Sequence, residues 1–241
     1  MSSKIFILIL SATFLISCGE IFSPTIKGNG KIVEKTINLA NVNEILNSGI
    51  FNVIIKQGDM ENARIETDEN IMEYVSTKIE NNKCSFITKD HINYNPTKAN
   101  IYINLKKIQL VTNSGTGNIN IIGFSCQDPL KLINTGTGNC NLNATITHEL
   151  SIENNGVGTM NLNGRSNSLF IDNSGVGNID AYSFMVDTAD IQNNGVGSVN
   201  ICVSKLISVS NNGVGNISYK GNPIVKEINK NGIGTIKKVD N

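Results

Sequence analysis

The chain has 241 residues, 17% of them charged and 5% aromatic, with no Trp; 20 Lys and Arg balance 20 Asp and Glu. A formal net charge of zero provides no field to draw it toward nucleic acid or an anionic lipid surface. Beyond Ile16 there is no apolar run long enough to span a bilayer, so a single-chain integral membrane protein built on helices is excluded.

The N-terminus supplies an address. Lys4 precedes an apolar run from Ile5 to Ile16, which suits a signal-peptide core and is too short to cross a membrane. It ends in Leu15-Ile16-Ser17-Cys18, the pattern of a lipobox in which Cys18 is acylated and becomes the new N-terminus. Gly19, not Asp, follows the cysteine, and in enterobacterial-type sorting that implies the outer membrane. Residues 1–17 are therefore expected to be a lipoprotein signal peptide and 18–34 the lipidated N-terminus with a linker. Membrane contact is expected through the lipid alone, with two or more acyl chains needed for stable attachment.

Residues 35–106 are less regular. Asn47-Ser48-Gly49 through Gln57-Gly58 reads as a degenerate coil ending in a tight turn. Asp68 to Val75 reads as a short helix with an Asp cap and acids in its first turn. Cys84–Thr88 and Asn100–Leu105 alternate as strands. Solenoid ends are atypical in sequence, so this stretch is expected to cap a repeat array, some of its strands pairing onto the first coil.

That array fills residues 107–241. Asn-x-Gly-x-Gly recurs with first glycines at Gly115, Gly136, Gly156, Gly175, Gly195, Gly213 and Gly232, in steps of 21, 20, 19, 20, 18 and 19 residues. The second glycines are Gly117, Gly138, Gly158, Gly177, Gly197, Gly215 and Gly234. Four positions before each first glycine stands an aliphatic residue, from Val111 to Ile228; four and six positions after it the column is again apolar until Lys238 breaks it. Polar residues such as Asn120, Asn141, Asn161 and Asp180 lie between, and alternation at period two marks a half-buried strand. Each repeat thus reads strand, glycine turn, strand, then a variable loop.

Units this short must bury their apolar face on neighbours. Parallel stacking at about 4.8 Å per coil makes a rod of roughly 34 Å. The expected fold is an all-β, right-handed parallel β-helix of about seven coils, the hand following the rule for parallel crossovers. Asn113, Asn134, Asn154, Asn173, Asn193 and Asn211 share parity with the inward aliphatics and are expected to form a buried amide ladder, with Lys230 replacing the last member. The glycines supply backbone angles closed to other residues.

Chemistry is sparse. The Gly-x-Gly lacks the third glycine, the helix and the acid of a dinucleotide site, and no carboxylate follows it as in calcium-binding nonapeptides. His91 and His148 stand outside any metal-ligand spacing, and His148 is expected in a loop between coils, so no metal and no cofactor is expected. Cys140 and Cys202, three coils apart, are beyond disulfide reach; a Cys84–Cys126 pair is left open. Glu153 and Asp172 are expected to stack on consecutive coils about 5 Å apart, the separation of a retaining glycosidase pair. Asp190 lies near them on the next coil, with neither aromatic platform nor basic clamp in the surrounding sequence.

The run Asn47-Ser48-Gly49 to Gln57-Gly58, then Asp68-Glu69-Asn70-Ile71-Met72-Glu73-Tyr74-Val75, then repeated Asn-x-Gly-x-Gly-x-Ile, resembles the family described as putative auto-transporter adhesin, head GIN domain. The resemblance covers roughly residues 35 to 240, which makes 35–106 the capping part of that domain. It implies a β-solenoid from the bacterial envelope, often a lipoprotein, with no defined catalytic residues; "adhesin" is a label by analogy. The functional expectation is a non-enzymatic envelope module that offers a rigid surface to a protein or glycan of the envelope or of a host surface, and not to nucleic acid. The rivals are a polysaccharide-acting enzyme using Glu153 and Asp172, and a purely structural envelope protein.

Overall fold

Residues 23–240 are described by a computed structural model, 66% strand and 2% helix, built as a β-solenoid of about six turns. The signal-peptide and Cys18 assignments lie outside the described residues. In chain order come β1 (Thr25–Lys27), β2 (Ile32–Asn38), β3 (Glu44–Ser48), β4 (Asn52–Gln57), β5 (Asn62–Asp68), α1 (Glu69–Met72), β6 (Val75–Glu80), β7 (Lys83–Thr88), β8 (Asn93–Asn95) and β9 (Ala99–Leu105). The repeats follow as β10 (Leu110–Asn113), β11 (Ile119–Cys126), β12 (Leu130–Asn134), β13 (Cys140–Asn154), β14 (Met160–Asn173), β15 (Ile179–Asn193), β16 (Val199–Asn211), β17 (Ile217–Lys220), β18 (Ile224–Lys230) and β19 (Ile236–Lys238). All pairing within the repeats is parallel.

The degenerate coil at Asn47–Gly58 is a true coil, but not the outermost one. β3 pairs in parallel with β10 on one side and β7 on the other, and β4 likewise with β11 and β9. The chain therefore lays down its second coil first. It then turns outward through the antiparallel pairs β2–β5, β5–β9 and β6–β7, and recrosses to begin the repeats. β1, within the stretch read as linker, pairs with β8 in a separate small sheet. The antiparallel strands cover the N-terminal end of the stack.

The core is the set of inward columns, and parity places them where alternation required. Val111, Leu132, Ile152, Ile171, Ile191 and Val209 are buried, as are Ile119, Cys140, Met160, Ile179, Val199 and Ile217. One column pairs Phe124 with Ala144, Ala144 with Gly164, and Gly164 with Phe184. Two small residues between two rings let the rings fill the space that the small ones leave, which keeps the interior close-packed. At the C-terminal end Ile228 is 45% exposed, and the inward positions after it carry Lys230 and Lys238.

Three expectations need correction. The variable loop is absent from the middle coils: β13, β14 and β15 each run unbroken through both faces, and differences in repeat length appear as register shifts such as that between Ile146 and Glu149. His148 accordingly sits exposed within β13, not in a loop. Asp68 stands at the N-cap of α1 but makes no side-chain bond to the helix; its carboxylate accepts the N–H groups of Gly30 and Thr97 instead, each at 2.8 Å. A helix of four residues presents too little dipole to outcompete two fixed donors from neighbouring segments.

Candidate functional site

The asparagines at the glycine turn form the ladder that their parity implied, and Asn47 extends it. Nδ2 of each donates to Oδ1 of the next: Asn47 to Asn113 (3.0 Å), Asn113 to Asn134 (3.2 Å), Asn134 to Asn154 (3.0 Å), Asn154 to Asn173 (2.8 Å), Asn173 to Asn193 (2.7 Å) and Asn193 to Asn211 (2.9 Å). At the last rung the Asn211 amide donates to the Gly215 carbonyl. At the first, Phe86 stands opposite Asn47, so Asn47 Oδ1 is buried without a donor. The main-chain carbonyls of the same residues serve the next turn: Asn154 O accepts from both Ser174 and Gly175. Every rung is spent on structure.

Coil spacing demands both glycines of the Gly175–Gly177 turn, since a β-carbon at Gly177 would meet the Gly158 carbonyl, and the second has a further reason in its φ. At Gly175 the backbone has an ordinary φ, but a β-carbon would collide with the Gly156 carbonyl of the coil below. At Gly177 φ is +147°, a conformation that side chains disfavour.

Between the glycines lies a feature that sequence reasoning passed over. Thr137, Val157, Val176, Val196, Val214 and Ile233 pair in parallel as a row of single bridges. Val157, Val176 and Val196 are each 50% exposed, Val214 45% and Ile233 72%. This aliphatic ridge is flanked by Asn, Ser and Thr, and the five residues around it carry no charge in any of the seven repeats. Setting aside the two glycines that define each motif, 21 positions remain, where the chain-wide 17% would give about four charges. The missed signal is the middle residue of Gly-x-Gly.

The two carboxylates are placed as expected: Glu153 pairs with Asp172 on the adjacent coil, and Asp190 with Phe170, one coil on and two positions off the column. Lys131 supplies a basic partner that the sequence reading did not anticipate, its Nζ 2.5 Å from Glu153 Oε1. Asp172 accepts the Ser174 hydroxyl at 3.2 Å. Cys84, Cys126, Cys140 and Cys202 are free thiols, and burial pushes Cys84 and Cys140 up to about 12 and Cys126 up to about 11. The pair left open, Cys84 with Cys126, is thus unbonded, and none of the three buried thiols is a ready nucleophile at neutral pH. Among the described residues no group of three His, Cys, Asp or Glu side chains is arranged to hold a metal ion.

A cleft of about 490 Å³ opens on the outward face that follows the glycine turn. Its floor is Asn120, Asn141, Asn161, Asn143 and Asn163; Ile54 and Ile122 bound one end, Asp180 and Tyr182 the other. Short amides between larger side chains make the depression. A second hollow of about 290 Å³ adjoins at Ile54 and includes Arg64 and Tyr102, with the guanidinium 4.7 Å from the ring centroid.

Fold and surface define a class: a capped parallel β-solenoid whose outward columns form rigid, repetitive, largely uncharged faces. Within that class the chain belongs to the family described as "Putative auto-transporter adhesin, head GIN domain", whose sequence pattern matches residues 41–223. A solved structure of a putative adhesin from Bacteroides fragilis is similar at a TM-score of 0.84 and 24% identity, over 89% of this chain and 100% of that one. A putative lipid binding protein from Parabacteroides distasonis gives 0.67 and 20%, covering 89% and 99%. A putative adhesin from the same species gives 0.61 and 21%, covering 89% and 100%. At these identities the likeness is one of fold. No curated protein matches the chain.

Proposed function

We propose that this chain is a non-enzymatic, adhesion-type binding module, held at the bacterial envelope by a lipid on Cys18. The carrying observation is the uncharged corner with its half-exposed row Val157, Val176, Val196 and Val214, continued by the more exposed Ile233. A contiguous apolar stripe on a soluble body costs solubility unless something covers it, and rows of this kind mark interaction surfaces. The family's adhesin description agrees with that reading and with a cell-surface or envelope location. The lipobox adds the anchor and an outer-membrane address.

The test is binding of the full chain to immobilised envelope fractions and host-surface material. Val176→Ser with Val196→Ser should reduce retention severalfold while the melting temperature holds. Release of product from a glycan panel, abolished by Glu153→Gln, would overturn the non-enzymatic reading. For the anchor, Cys18→Ser should abolish incorporation of radiolabelled fatty acid and leave unprocessed precursor. Persistent labelling would overturn the lipobox assignment.

A further inference from the structure

The cleft over Asn120, Asn141 and Asn161 is lined by groups that the fold does not use up. Asn141 Nδ2 donates to Asn120 Oδ1 at 2.7 Å, and Asn161 Nδ2 to Asn141 Oδ1 at 2.8 Å. This outer amide ladder then stops. The next residue in the column is Asp180, which pairs in register with Asn161 and has no donor to offer. Two acceptors, Asn161 Oδ1 and the Asp180 carboxylate, therefore face one another across a single coil step. Among the described residues the Tyr182 N–H, at 3.3 Å from Asp180 Oδ1, is the one donor that the carboxylate receives.

Register breaks at the same place. Asn161 pairs with Asp180 but Asn163 with Ser183, so β15 carries one extra residue between them. A bulge of this kind re-aims a side chain and is common beside functional sites. Here it stands Tyr182 at the end wall of the cleft, half-buried, with Lys220 Nζ 4.9 Å from the ring centroid.

We infer that this cleft is a binding subsite for a neutral glycan chain lying along the rod axis, a reading that rests on the adhesion-type function above. Hydroxyl groups donate and accept at once, so they suit a floor that presents unused amide donors together with an acceptor pair. The Tyr182 ring supplies an apolar wall with a polar tip at one end, and Ile54 and Ile122 an apolar edge at the other. Asp180, the one charged residue among the described residues that line the cleft, disfavours an anionic polysaccharide or nucleic acid. A peptide adding as a strand needs a free sheet edge, and this is a sheet face whose backbone is already paired on both sides. An acyl chain would leave the amides and the carboxylate dry and unpartnered.

The test is calorimetric titration of the full chain in detergent with β-1,4-linked hexamers of glucose, xylose and N-acetylglucosamine. A galacturonate hexamer is the anionic control. Two further arms, neutral glycans released from the cell's own envelope and from mucin, separate the two sources. At least one neutral hexamer should bind and the galacturonate should not. Tyr182→Ala and Asn141→Ala should each weaken binding about tenfold with the melting temperature retained, while Gln192→Ala on the opposite outward column leaves it unchanged. Absence of neutral-glycan binding, binding indifferent to Tyr182 and Asn141, or a peptide competing for the cleft overturns the inference. Surface retention without any hexamer binding defeats this subsite but leaves the adhesion reading standing. Hexamer binding without any surface retention does the reverse.

Discussion

At the residue scale the buried amide at Asn173 is the sharpest test of parity. It accepts from Asn154 and donates to Asn193. Asn173→Leu keeps the volume but strands one donor and one acceptor inside the rod. Each unsatisfied buried group costs about 1–3 kcal/mol, so the two together should cost about 2–6 kcal/mol in chemical unfolding. Asn161→Leu, on the exposed ladder, removes groups that water can replace and should cost about 0.5 kcal/mol or less. Equal midpoints for the two variants would refute the inward ladder. The glycines divide in the same way. Gly175→Ala drives a β-carbon into the Gly156 carbonyl and should cost about 3 kcal/mol through forced separation of the coils. Gly30→Ala meets open space at a φ of +79° and should cost only about 1–2 kcal/mol of backbone strain. A reversed order would mean that coil spacing is not what demands glycine at the turn.

At the scale of the element, α1 and the segments around it hang on Asp68. Burial alone would raise its pKa, but hydrogen bonds from Gly30, Thr97 and Lys98 outweigh that and hold the carboxyl below its ordinary value of 3.8. Gly28 passes so close over this carboxyl that a β-carbon there would collide with it. A depressed folded-state pKa contributes stability that is present above the unfolded value and lost as pH falls through the folded one. Asp68→Asn should therefore be less stable than the parent at pH 7, and the gap should close as pH drops below about 3.8. Unfolding curves between pH 7 and pH 2 measure this, and a gap constant with pH would rule out the charged carboxylate as the source. Glu66 in the same strand titrates in the same direction, held low by Lys98 against the cost of burial and helped by Arg64, so the parent retains acid sensitivity even without Asp68.

At the scale of the whole molecule the two ends differ. The N-terminal end is covered by antiparallel strands, whereas the last coil leaves Ile224 and Ile233 each 72% exposed. Lys230 and Lys238 occupy its inward positions, and inward charge on a terminal coil opposes the addition of another strand. A stack in which each coil contacts only its neighbours loses its ends first. Amides of β18 and β19 should therefore exchange with deuterium at least tenfold faster than those of β13 to β15. Uniform protection from one end to the other would show that the solenoid opens as a single unit.

The sequence by itself determined what is repeated. Period and parity are local properties that every coil restates, so the columns from Val111 to Val209, the Asn113–Asn211 ladder and the Glu153–Asp172 adjacency could be placed without coordinates. The uncharged Gly-x-Gly corner was equally legible, through the middle residue of each motif, though its exposure as a ridge was not read. What is not repeated had to wait for tertiary structure. Asn47 carries the turn motif, but whether its coil is first or second in the stack depends on which strand edges meet β7 and β9, a long-range choice between similar edges. Asp68 looks like a helix cap until Gly30 and Thr97, distant in sequence, arrive with better donors. The cleft is the furthest from local information: its depth comes from small amides on three coils set between Ile54 and a Tyr182 displaced by one extra residue. The sequence encodes a column wherever a neighbour one period away must match it, and only packing decides where columns of unequal side chains leave room for something else.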